Sequence, residues 1–127
     1  MHNTTYSPIE DAGGRIKIGD IELEFITVHF LYAFGNYHAY DPEAKILFSG
    51  DVGVALEPAG SELFVEDFDD DVSKIKLFDQ RWMPLIRANN DWIARARDLE
   101  FDMMVPQHGR IVKGENCGKI FDWFSDL

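Results

Sequence analysis

The sequence has a single cysteine, no long apolar run, and 12 lysines and arginines against 23 aspartates and glutamates. A lone cysteine excludes an internal disulfide and suits a reducing compartment, so a cytoplasmic location is expected. Cys117 itself reads as an ordinary free cysteine near a helix start, with a redox thiol as the alternative. No stretch approaches the ~20 apolar residues of a membrane span. The opening residues, Met1 to Tyr6, have neither the basic start nor the apolar stretch of a signal peptide. No membrane partner is expected. The net charge of −11 repels a phosphate backbone, so no nucleic-acid partner is expected either. Much of the acid lies at Glu57, Glu62, Glu66, Asp67, Asp69, Asp70 and Asp71. It reads as solvated loop and helix N-terminus rather than as a cation site.

What is present suits one domain of 127 residues with a real core. Residues 1–14 are polar, carry Pro8, Gly13 and Gly14, and read as a lead-in; residues 15–127 read as the folded domain. Alternation over Arg15–Ile18 and Ile21–Val28 predicts two strands, with Gly19-Asp20 as a hairpin turn. Ile21, Leu23 and Phe25 share one face of the second strand. Tyr37–Tyr40 and Lys45–Phe48 predict two more strands around an Asp41-Pro42-Glu43-Ala44 turn. A long loop follows over residues 52–71. Asp71 is a candidate cap for a helix over Val72–Met83, with Ile75, Phe78 and Trp82 at helical spacing. Pro84 is placed to begin a second helix whose apolar face is Leu85, Trp92, Ile93, Ala96 and Leu99. Met103–Val105 predicts a short buried strand, and a last helix runs near Asn116–Leu127. The order predicts an α/β layered domain.

Three polar residues share one context. His29, Asp51 and His108 each lie just past the carboxyl end of an apolar strand. In layered α/β proteins that edge commonly holds ligands. Gly50 and Gly109 flank two of the three and free the backbone to turn sharply. Two imidazoles and a carboxylate suit zinc, iron or manganese. The bland alternative is two hydrogen-bonded strand-end histidines and a turn aspartate. His38, inside a strand, reads as a histidine with a local partner.

The segments Val28-His29-Phe30-Leu31, Tyr40 through Asp51 (ending Leu47-Phe48-Ser49-Gly50-Asp51) and Pro106-Gln107-His108-Gly109 resemble successive motifs of the diiron branch of the metallo-β-lactamase superfamily. So does the region around Arg81-Trp82-Met83 and Trp92. That branch includes flavodiiron and oxygen-binding diiron proteins. The resemblance covers roughly residues 14–127 and implies the C-terminal half of an αββα sandwich: one mixed sheet with helices on its outer face. It implies that His29 binds one metal, His108 the other, and Asp51 bridges both, with two irons expected and zinc or manganese as alternatives.

Two departures stand out. The family's first motif, His-x-Glu-x-Asp-His, has no match before His29. The stretch after the first ligand is usually similar to Leu-His-Ser-Pro-Gly-Asn; here it is Leu31-Tyr32-Ala33-Phe34-Gly35-Asn36. Tyr32 and Phe34 would make the pocket wall more aromatic, with Tyr32 able to donate a hydrogen bond; plain packing is the alternative reading. The resemblance therefore implies a half-domain of a protein that binds or reduces oxygen or nitric oxide. A complementary half carrying the missing motif, or a second copy, is the expected partner. A flavin or rubredoxin electron donor, or a sensor domain, would complete the system, and no flavin site is expected in these residues. Competing readings are a zinc hydrolase on the same fold and a non-catalytic interaction module.

Overall fold

A computed structural model describes residues 3–28, 31, 36–82 and 86–127. In chain order the elements are strands β1 (Gly14–Ile18), β2 (Ile21–Thr27), β3 (Tyr37–Asp41) and β4 (Ile46–Gly50), helices α1 (Phe68–Trp82) and α2 (Ile86–Arg97), strands β5 (Met103–Pro106) and β6 (Val112–Lys113), and helix α3 (Asn116–Ser125). The strands form one mixed sheet in the order β1-β2-β3-β4-β5-β6. Every pairing is antiparallel except β4 with β5, which is parallel. Parallel neighbours need a crossover, and α1 and α2 lie within it.

The register divides the sheet into two unlike faces. Tyr40, Leu47, Met104 and Val112 stand in one row across β3 to β6 and all belong to the buried core. The helices cover this face: Ile75 of α1, Trp92 and Ile93 of α2 and Ile120, Phe121 and Phe124 of α3 complete the same core. Trp92 sits at its centre, with ring centroids 5.4 Å from Phe121 and 5.1 Å from Phe124. The adjacent row, Phe25, Ala39, Phe48 and Val105, points the other way because side chains alternate along strands. That second face also carries Ile18, Ile21 and Leu23. It stays open: Ile18 is 60% exposed, Ile21 49% and Phe48 43%.

The predicted α/β order and the hairpin at Gly19-Asp20 are present. Four details differ. Helix α1 starts at Phe68, and its cap is Asp67, whose Oδ1 accepts the Asp70 N–H at 3.1 Å; Asp71 lies inside the first turn and is buried. The buried stripe of α1 runs Val72, Ile75, Asp79, so an aspartate takes the place expected for Phe78. Within the acidic run Glu57 is withdrawn from solvent into ion pairs, while Asp70 is paired but stays exposed. Strand β6 leaves no signal in the sequence, because two residues carry no periodicity.

Candidate metal centre

The candidate site is built where β4 and β5 end side by side. Gly50 adopts a left-handed φ of +56°, and the chain closes a tight turn around Asp51. Val52 N–H donates to Ser49 C=O at 3.0 Å, Val54 N–H to Asp51 C=O at 3.3 Å, and the buried Ser49 hydroxyl to Val52 C=O at 2.8 Å. The following residues, Val52, Val54 and Ala55, are buried. They anchor the turn through the hydrophobic effect while Asp51 stays half-buried at the rim.

The His108 loop is tied to this turn by two backbone hydrogen bonds. Gln107 N–H donates to Gly50 C=O at 2.7 Å, and Ala55 N–H to His108 C=O at 3.3 Å. Asp51 and His108 therefore lie on neighbouring segments at one sheet edge. Gly109 makes the approach possible. Its φ is +113°, and a Cβ there would stand 2.9 Å from the Ala55 nitrogen. His108 itself is exposed.

Beneath the loops lies an ionic network that sequence patterning did not reveal. Glu57 accepts from Lys74 of α1 at 3.3 Å and from Arg110 at 3.3 Å, and Lys74 also pairs with Asp70 at 2.9 Å. The Glu57 side chain is only 11% exposed. Its partners lie 17 and 53 positions away, beyond any local signal. Buried beside it, Asp71 is pushed up to about 6 by desolvation and by the Glu57 charge.

His29, Tyr32 and Phe34 lie outside the described residues. The frame of their segment is described. Val28 N–H donates to Asn36 C=O at 3.0 Å, Leu31 N–H to Val28 C=O at 3.3 Å, and Asn36 Nδ2 to Leu31 C=O at 3.0 Å. This frame starts where β2 ends, on the same sheet edge as Asp51, because β3 runs antiparallel to both β2 and β4. His38 has a partner, but not a local one: it accepts from the Trp92 indole N–H, 54 positions along the chain.

The donor chemistry suits a metal in part. A carboxylate and an imidazole on adjacent loops are oxygen and nitrogen donors acceptable to iron, zinc or manganese. Among the described residues no group of three or more His, Cys, Asp and Glu could hold a metal ion. Stable sites use three or four protein ligands, so Asp51 and His108 by themselves do not complete one.

One mixed sheet, helices on one face and a partly exposed apolar opposite face define half of a metallo-β-lactamase-type sandwich. A family model described as "ODP family beta lactamase" matches residues 1–109, and the chain belongs to that family. Two solved structures are 34% identical over 95% of this chain, each with a TM-score of 0.89: "Peroxy diiron species of chemotaxis sensor ODP" and "Apo state of chemotaxis sensor ODP from T. denticola". The alignments cover 52% and 50% of those chains, so this chain spans about half their length. The flavodiiron protein from Giardia intestinalis is 24% identical over 94% of this chain and 30% of its own, with a TM-score of 0.84, and shares the fold. No curated protein matches the chain. Among the described residues no helix is long and apolar enough to cross a membrane.

Proposed function

We propose that this chain is the C-terminal half of a diiron domain that binds oxygen or nitric oxide, with His29 and His108 each holding one metal and Asp51 bridging them. The observation that supports it best is the double backbone tie, Gln107 to Gly50 and Ala55 to His108. It brings a carboxylate and an imidazole to one edge, as a bridged pair requires. Iron bound there would supply reversible redox chemistry toward a diatomic gas. The chain's own residues supply the rest. Asp51 offers two oxygens from a turn anchored by buried valines. Gly109 lets the His108 loop close onto that turn. Tyr32 and Phe34 would wall the gas-binding side, with the Tyr32 hydroxyl as a hydrogen-bond donor.

Sensing ranks ahead of turnover in this reading, because the two 34%-identical structures are of a chemotaxis sensor. The sensor would signal through a further domain; an enzyme would draw electrons from a flavin or rubredoxin donor. The open face of the sheet fits a complementary half carrying His-x-Glu-x-Asp-His, which would add the remaining ligands. A cytoplasmic setting suits ferrous iron and the free thiol of Cys117.

Anaerobic Fe(II) titration tests the proposal, with the chain alone and mixed with a polypeptide bearing the missing motif. The expected result is weak, incomplete binding alone and two irons per complex. Unchanged iron content after replacing Asp51 and His108 with alanine would overturn it.

A further inference from the structure

From His108 onward the chain is laced against residues 55–65. Ala55 N–H donates to His108 C=O at 3.3 Å, Ile111 N–H to Leu63 C=O at 2.8 Å, and Val65 N–H to Ile111 C=O at 3.0 Å. Arg110 lies between the first of these ties and the other two. Its guanidinium meets Glu57 Oε2 at 3.3 Å, where the two side chains are 16% and 11% exposed. The same oxygen takes the Lys74 ammonium of α1 at 3.3 Å, and Lys74 meets Asp70, one turn earlier on that helix, at 2.9 Å. A line of side chains therefore runs from a helix, through one carboxylate, to the residue two positions after His108.

The mechanical consequence turns on Gly109. It has no Cβ and holds φ at +113°, so its backbone is the freest to rotate between His108 and Arg110. A histidine before such a glycine keeps its place only if the chain is held on both sides. On the near side the holds are the Gln107 N–H to Gly50 C=O bond, at 2.7 Å, and the longer bond from Ala55. On the far side the first hold is Arg110, and it holds to Glu57. An exposed ion pair would add little. This one is sheltered, so solvent and salt screen it weakly, and Lys74 fixes the carboxylate from the helix side.

We propose that Glu57 is a positioning residue for His108: through Arg110 it holds the backbone on the far side of Gly109 and so keeps His108 beside the Asp51 turn. It is not itself a ligand. The proposal rests on the reading of His108 as a metal ligand. Partners that orient metal ligands typically contribute 10–100-fold in affinity, and Glu57 acts through a further residue, so a loss of about tenfold is expected on its removal.

Two measurements on the full chain test it. The first is amide hydrogen exchange without metal, on the unaltered chain and on Glu57→Gln. The Ala55 N–H that donates to His108 should exchange faster in the variant by the same factor, while the amides of β4 and β5 keep their protection. Unchanged exchange at Ala55, or an equal increase throughout the sheet, would overturn the proposal. The second is a Co(II) titration followed by visible absorption, in four forms: unaltered, Glu57→Gln, His108→Ala, and the double variant. Expected are weaker binding in both single variants, about tenfold for Glu57→Gln, and no further loss when it is added to His108→Ala. That pattern means Glu57 acts through His108. Equal losses from Glu57→Gln in both backgrounds would overturn the proposal, since the loss of a nearby negative charge would not depend on His108. A loss in His108→Ala but none in Glu57→Gln would overturn it too, leaving the metal reading intact. No loss in His108→Ala would remove the ligand role of His108 and the proposal with it. Should Glu57→Gln fail to fold, Glu57→Gln/Arg110→Gln takes its place in both measurements, because it removes the pair without leaving one charge buried alone.

Discussion

Trp92 donates its indole N–H to Nδ1 of His38 at 3.2 Å, with both side chains 1% exposed. An indole can only donate, so Nδ1 must be unprotonated and a neutral ring carries its proton on Nε2. Nε2 has no hydrogen-bond partner among the described residues. Burial pushes the pKa of His38 down to about 3.

The pH dependence follows with a definite sign. Below pH 6.5 the unfolded chain protonates His38 while the folded chain does not, so protons favour unfolding. Stability is unaffected by this group above pH 6.5 and falls as pH drops from 6.5 toward 3, by up to about 1.4 kcal/mol per pH unit. Thermal unfolding of the native chain and of His38→Asn between pH 7 and 4 checks this. The variant keeps an acceptor for Trp92 and should lose the excess acid sensitivity. Parallel curves would reject a buried neutral histidine.

Asp79 works in the opposite direction. It is 4% exposed with Oδ1 unpartnered among the described residues, and desolvation raises its pKa to about 6. The unfolded carboxyl ionises first as pH rises through 4, so stability is lost between about pH 4 and 6. Asp79→Asn should therefore stabilise the chain by about 1–2 kcal/mol at pH 7 and by much less at pH 4. Urea unfolding at the two pH values measures the difference; a gain of equal size at both would point to packing instead of charge.

How much of this was legible beforehand depended on the range of the interaction. The β1–β2 hairpin, the strand-end positions of Asp51 and His108 and the glycines beside them were readable, because alternation and turn residues act over a few positions. The start of α1 was not: four aspartates between Asp67 and Asp71 all make acceptable caps, and tertiary packing decides among them. Nor was Asp79 readable as a core position, since helical spacing favours Phe78 equally and only tertiary packing, with α3 among the neighbours of α1, selects the stripe. The Glu57–Arg110 pair joins loops brought together by the β4–β5 crossover. Its partners become neighbours only once the fold exists.

Gly109 offers a local test of the site's construction. Alanine there would meet the Ala55 nitrogen at 2.9 Å while holding φ at +113°. A left-handed non-glycine backbone costs on the order of 1–3 kcal/mol, and the contact adds to that. Gly109→Ala should lower the urea midpoint accordingly and weaken Co(II) binding, because relief of the clash moves the His108 loop away from the Asp51 turn. Unchanged binding with lowered stability would show that the two loops can separate without consequence for the metal.

The two faces of the sheet predict two different responses to mutation. Leu47 is 0% exposed and stands in the helix-covered row; Leu47→Ala should cost about 2–5 kcal/mol, as large-to-small core changes do. Phe48, the next residue, is 43% exposed on the open face. With Ile21 across that face, it leaves an apolar surface of a kind rarely uncovered on soluble monomers. The double variant Ile21→Lys/Phe48→Glu should leave the stability of the isolated chain within about 0.5–1 kcal/mol, since neither side chain contributes much burial there. It should also suppress self-association in sedimentation velocity and reduce binding of an apolar dye. Against a complementary half, the same variant should fail to form a complex that the unaltered chain forms. A large stability loss without any change in association would mean that the face is closed by the chain's own residues, and the half-domain reading would then lose its structural basis.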